Sequence, residues 1–208
     1  MRRIVCAFLL VAAVAGCTKP RVYATDEEIA AVSYRNPEEP SLTLYTMINN
    51  RSGEGAHTAL LITASEQVIF DPAGSFYSEV TPERHDVVFG ITPSMEKAYR
   101  SAHARSTFHV VSQKIDVSPE QAQTAYQLAL QAGPVPDAFC TSATSKLLSQ
   151  VPGFEGLSST MYPKNLMAQI EEVPGVQTSR YYEDDSPDLQ KALAEGNIAV
   201  AQQATLTQ

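Results

Sequence analysis

The order in which strand-type and helix-type segments succeed one another constrains this chain more than any other feature. Leu42–Ile48 (LTLYTMI) has the β-branched and aromatic content of a strand, Asn49–Gly55 (NNRSGEG) is rich in turn formers, and His57–Thr63 (HTALLIT) reads as a second strand, apolar on both faces. After a break at Ala64–Gln67, Val68–Asp71 (VIFD) pairs back on it as an antiparallel hairpin followed by the turn Pro72-Ala73-Gly74. Asp86–Ile91 and Thr107–Val117 are further strand candidates, with a helix from Ser94 to about His103 between them, Pro93 standing just before its cap. Helical spacing dominates later. Ser118-Pro119-Glu120 combines an N-cap with Pro at the first helical position, and Ala122, Ala125, Tyr126, Ala129 and Leu130 recur at helical intervals until Gly133-Pro134. Asp137 is placed to cap the next helix, whose apolar side carries Cys140, Ala143, Leu147, Leu148 and Val151; a third helix follows Pro163, then a strand Val176–Tyr182 and a C-terminal helix from Asp188. Strands first and helices mostly later predict an α+β fold on an antiparallel sheet.

The chain has 208 residues, 44 % of them hydrophobic, enough for one domain with tails. Its net charge of −8 argues against a phosphate-binding surface, so nucleic acid is not an expected partner. Arg2 and Arg3 precede the apolar run Ile4–Ala15, too short to span a bilayer but suited to a secretory signal. Val14-Ala15-Gly16-Cys17 resembles the bacterial lipobox, which implies cleavage before Cys17 and acylation of its thiol. The expectation is a protein of the bacterial cell envelope, facing the periplasm and held to a membrane through its N-terminal lipid, several acyl chains giving a stable anchor. The corresponding organisation is a signal peptide at 1–16, a tether and irregular lead-in at 17–40, a folded domain at 41–183 and a tail or helix at 184–208.

Cysteine usage then narrows the chemistry. Cys6 leaves with the signal and Cys17 is acylated, so Cys140 is a lone thiol in an oxidising compartment, either an inert buried group or a reactive one. With Asp137 as cap, Cys140 falls in the first turn of its helix, where free N–H groups and the positive end of the macrodipole favour a thiolate. A thiolate that transfers acyl groups needs a base beside it and a third group to orient the base. Of the four histidines, His85 and His103 lie in charged or polar segments and read as solvated, and His109 reads as half-buried on a strand. His57 opens an apolar strand straight after a Gly-containing loop, a position that can hold an imidazole rigidly in a cleft.

Gly55-Ala56-His57-Thr58-Ala59-Leu60-Leu61-Ile62, then Ile69-Phe70-Asp71-Pro72-Ala73-Gly74, and much later Ala138-Phe139-Cys140-Thr141-Ser142 resemble the circularly permuted branch of the NlpC-type papain-like superfamily, in which the His strand precedes the Cys helix. Tyr162-Pro163-Lys164-Asn165-Leu166 is similar to the Pro-x-x-Leu segment that follows that helix. The resemblance implies a permuted papain-like fold with the Cys-bearing helix packed on an antiparallel sheet, Cys140 as nucleophile, His57 as general base and then acid, and Asp71 as the third residue. Asp71 shares a sheet face with His57 only if facing residues have an even sum, as when Ala59 lies opposite Asp71; a two-residue turn at Ser65-Glu66 would point it away. Asp71 could also simply begin the Asp-Pro-Ala-Gly turn. The family includes amidases and peptidases acting on cell-wall peptides and acyltransferases acting on lipids, so the expected substrate is a cell-wall peptide or a lipid amide or ester. A catalytically inactive envelope-binding lipoprotein is the third reading. No metal-ligand spacing, phosphate loop or dinucleotide fingerprint is present in the sequence, and no cofactor is implied.

Overall fold

The computed structural model describes residues 23–185 together with 188, 191 and 194. The signal segment, Cys17 and most of the C-terminal helix expected from Asp188 lie outside the described residues. In chain order the elements are α1 (Asp26–Val32), β1 (Ser41–Asn49), β2 (Gly55–Thr63), β3 (Gln67–Phe70), β4 (Glu83–Arg84), β5 (Val87–Val88), α2 (Pro93–His103), β6 (Phe108–Asp116), α3 (Pro119–Gln131), α4 (Cys140–Leu148), α5 (Pro163–Glu171) and β7 (Gln177–Tyr181). The strands form one antiparallel sheet in the order β4-β5-β3-β2-β1-β6-β7, so the α+β class is as expected.

Strand β1 lies in the interior of the sheet, between β2 and β6. Ser41 through Ile48 are all buried, because β2 and β6 flank it and helices cover both faces. Side-chain alternation divides the interior into two layers. Leu42, Leu44, Leu60, Ile62, Phe70 and Ile115 face α3, α4 and α5, which contribute Ala125, Ala129, Leu147, Leu148, Leu166 and Ile170. Tyr45, Met47, Ala59, Leu61, Ile69 and Val110 face α2, which contributes Met95, Tyr99 and Ala102 at positions i, i+4 and i+7. The start of α3 is as read, with Ser118 as N-cap and Pro119 in the first turn; the structure adds a capping box, Ser118 Oγ accepting from the Gln121 N–H and the Gln121 side chain returning to the Ser118 N–H.

Three local readings are corrected. Pro93 is the first residue of α2 and Thr92 is its cap, the Thr92 hydroxyl accepting from the Met95 N–H at 3.3 Å. The segment Asp86–Ile91 contributes only Val87–Val88 to the sheet, because Asp86 occupies the tip of the β4–β5 turn and Gly90, at φ +73°, bends the chain away. Residues 23–40 are part of the folded body and include a helix. Thr25 and Glu28 form a capping box for α1, the Arg84 guanidinium donates to the Ala24 carbonyl and pairs with Asp26, and the Gln67 N–H donates to the Tyr34 carbonyl. At the other end, Glu183 accepts from the Ser101 and Tyr181 hydroxyls, and the buried Arg105 lies near both Glu183 and Asp185, so the acidic stretch after β7 is docked on the C-terminus of α2.

Candidate active site

Cys140 is the first residue of α4. Its helix begins differently from the expectation. Pro136–Phe139 is a tight turn closed by a bond from the Phe139 N–H to the Pro136 carbonyl at 3.2 Å, with Ala138 left-handed at φ +68°. Asp137 is thereby spent inside the turn, and the N-cap is Phe139, which offers no side-chain acceptor. Cys140 nevertheless sits in the first helical turn, where its N–H has no intrahelical partner and the helix dipole favours negative charge.

The sulfur lies against β2 because the neighbouring strand stops short. The β2–β3 ladder ends at Leu60↔Phe70, after which β3 turns away and frees the β2 edge near Thr58. Helix α4 fills that gap: the Thr58 and Thr141 hydroxyls bond at 3.0 Å in the buried interface, and the Thr58 backbone helps to lower the Cys140 pKa. Cys140 is 8 % exposed.

His57 arrives on the same edge through a β-bulge. Met47 faces His57 but Ile48 faces Gly55, which leaves Ala56 unpaired and turns Gly55 toward Pro163 at the start of α5 while His57 points to the α2 side. Its Nε2 lies 2.6 Å from Asp71 Oδ1, which leaves Nδ1 as the ring nitrogen available to Cys140. Asp71 reaches it because the register is even: Leu60↔Phe70 and Thr63↔Gln67 are paired, with a three-residue connection in place of a two-residue turn. The alternative role for Asp71 coexists with this one. Its carbonyl accepts from the Gly74 N–H at 3.0 Å, so the backbone makes the turn while the carboxylate serves the imidazole.

The electrostatics follow from these partners. Burial pulls the His57 pKa down, but the charge and hydrogen bond of Asp71, aided by Cys140, outweigh it and push it up to about 10. Burial pushes the Cys140 thiol up, and the hydrogen bond and charge of His57, the Thr141 hydroxyl and the Thr58 N–H reverse this and bring it below the ordinary thiol value. Asp71 is buried, which would raise it, yet His57 holds it below the usual carboxylate range. All three shifts run toward a thiolate beside an imidazolium beside a carboxylate, with 17 % of the His57 side chain open to solvent.

Three neighbours were not legible as site residues. Tyr99 donates its hydroxyl to the same Asp71 oxygen at 2.8 Å; in the sequence it is one more apolar position of an amphipathic helix. Gly74 leaves room for the Asp71 carboxylate, since a Cβ there would stand 2.0 Å from Oδ2. His103, expected to be solvated, instead stacks over His57 with ring centres 6.1 Å apart and donates its Nδ1–H to the Tyr99 carbonyl at 2.8 Å. Burial, and then the positive His57, keep it below its ordinary value against the pull of Asp71, so it stays neutral. His85 packs edge-on to Tyr23, and His109 bonds Asn50 and stacks on Tyr182, both apart from Cys140.

Comparison with family models, with curated proteins and with solved structures returned no match. Among the described residues no cluster of three or more His, Cys, Asp or Glu side chains could hold a metal ion, and no helix is long and apolar enough to cross a membrane.

Proposed function

We propose that this chain is a lipid-anchored thiol hydrolase with a permuted papain-like domain, acting as an amidase or peptidase on cell-wall peptides. The observation that carries the reading is the continuous line Asp71–His57–Cys140, assembled from a strand, the turn beyond its partner strand and a helix start that are far apart in the chain. The Cys140 thiolate attacks the carbonyl carbon of an amide, the Cys140 N–H donates to the oxyanion, and the imidazolium gives its Nδ1 proton to the departing amine. The neutral His57 then takes a proton from water, which attacks the thioester and releases the acid, the thiol leaving as thiolate. Asp71 stays ionised throughout and fixes the tautomer. The cell-wall substrate rests on the address implied by Cys17.

A second reading, hydrolysis or transfer of a lipid acyl group by the same three residues, is favoured by one feature: Phe139, which precedes the nucleophile in the chain, is 47 % exposed and offers an apolar surface at the start of α4.

The test is the rate of iodoacetamide modification at Cys140, followed by peptide mass spectrometry from pH 5 to 10, with hydrolysis of purified peptidoglycan and of a lipid ester run in parallel. Modification at pH 6–7 should exceed that of a free thiol by about tenfold or more, and Cys140→Ala should abolish turnover with an unchanged fold. A Cys140 profile that follows an ordinary thiol, or activity surviving in Cys140→Ala, sinks the thiol mechanism; the preferred substrate chooses between the two readings.

A further inference from the structure

Asp86 takes no part in the chemistry above and is only 1 % exposed. It sits at the tip of the two-residue β4–β5 turn, where it and His85 both take left-handed backbone angles, φ +63° and +51°, as a tight hairpin between antiparallel strands requires. Its Oδ2 accepts from the Val135 N–H at 2.7 Å and from the Ala73 N–H at 3.3 Å, and its backbone carbonyl accepts from the Asp71 N–H at 2.8 Å.

These donors belong to two separate pieces of the site. Asp71 and Ala73 are in the turn that carries the acid, and Val135 begins the segment that runs through the Pro136–Phe139 turn to the thiol. One carboxylate oxygen is therefore bonded to both. Val135 and Ala73 are nowhere near each other in sequence, and neither needs a charged acceptor for its own local structure.

We propose that Asp86 is a positioning residue that fixes the spacing between the acid-bearing turn and the thiol-bearing helix. The inference rests on the thiol reading of Cys140. Loss of the clasp frees the Asp71 turn and the Val135–Phe139 lead-in to move relative to each other, and a displacement of about 1 Å at such a site lowers rates by up to 100-fold. Asn at this position keeps a carbonyl oxygen where Oδ2 stands and can accept both N–H groups without charge.

The experiment compares full-length wild type, Asp86→Asn, Asp86→Ala and the remote core variant Ile170→Ala, each for thermal midpoint and for the pH profile of Cys140 modification by iodoacetamide. Asp86→Ala should modify about tenfold more slowly at pH 6–7 with its inflection moved toward that of a free thiol. Asp86→Asn should stay within about threefold of wild type, and Ile170→Ala should lose midpoint without changing the profile. A wild-type profile in Asp86→Ala, or an equal displacement in Ile170→Ala, overturns the proposal. Should Asp86→Ala not accumulate, Val135→Pro takes away the Val135 N–H while leaving Asp86 in place and is expected to move the profile the same way; an unmoved profile there also overturns it. A wild-type protein that itself shows no low-pH thiolate contradicts the thiol reading instead, and so the two failures are distinct.

Discussion

Asp71 is held from four sides: the His57 ring, the Tyr99 hydroxyl, the Gly74 backbone and its own N–H on Asp86. Its replacement is therefore informative. Asp71→Asn removes the charge that outweighs burial at His57, so the imidazolium should deprotonate at lower pH; the alkaline limb of activity, expected near 10 in the wild type, should move down. The rate should fall about 10²- to 10⁴-fold, read from kcat against pH. The same ion pair makes a stability prediction. A raised His57 value stabilises the fold fully below its unfolded value of about 6.5, and that contribution is lost as pH climbs through about 10. The thermal midpoint of the wild type should drop more between pH 7 and 10 than that of Asp71→Asn. Gly74→Ala should cost about tenfold or more in kcat/KM, because its Cβ would displace the Asp71 carboxylate. Cys140 and His57 were legible as candidates because a lone thiol at a helix start calls for a base beside it, whereas Asp71 came from the family resemblance. Tyr99, Gly74 and His103 were not legible, since a hydroxyl on an apolar helix face, a turn glycine and a histidine among polar neighbours have the same appearance wherever they point.

At the level of elements, the site depends on α4 seating against a strand edge that β3 vacates. The Thr58–Thr141 bond closes that seam in a buried setting. Thr141→Val should cost about 1–3 kcal/mol of unfolding free energy by orphaning the Thr58 hydroxyl, and Thr58→Val with Thr141→Val together should cost less than the two changes summed, as a denaturation cycle would show. Ala138, left-handed at φ +68°, is a second point of strain; Ala138→Gly should raise stability by a few tenths to about 1 kcal/mol, measured the same way. The long strands β1, β2 and β6 and the helix α3 were readable from alternation, from helical spacing and from the Ser118-Pro119 start. Helix α1 was hidden because it buries no residue of its own fully and is held by Arg84 and by a capping box. Asp137 was misassigned for a related reason: an Asp before a helix looks like a cap whether or not a turn intervenes.

For the whole molecule, the sheet separates two cores that serve different ends. The α3–α5 side carries most of the aliphatic packing and the thiol; the α2 side carries the acid, Tyr99 and His103. The two are joined at the freed end of β2 and again through Asp86, so an intact sheet is a condition for the site. Class and strand direction were legible from segment order; which helices share a face was not, because that is decided by register and by the crossing from β1 to β6. Labelling with a radioactive fatty acid in a bacterial host should mark the wild type and not Cys17→Ser, which should be found free of membranes. The pinning of Tyr23 and Ala24 onto the β4–β5 hairpin then gives the anchor a mechanical meaning. Only residues 18–22 would separate an acylated Cys17 from the body, a leash of about 21 Å when taut. Such a molecule could patrol only a thin shell above its bilayer, and bonds deeper in the wall would have to come to it.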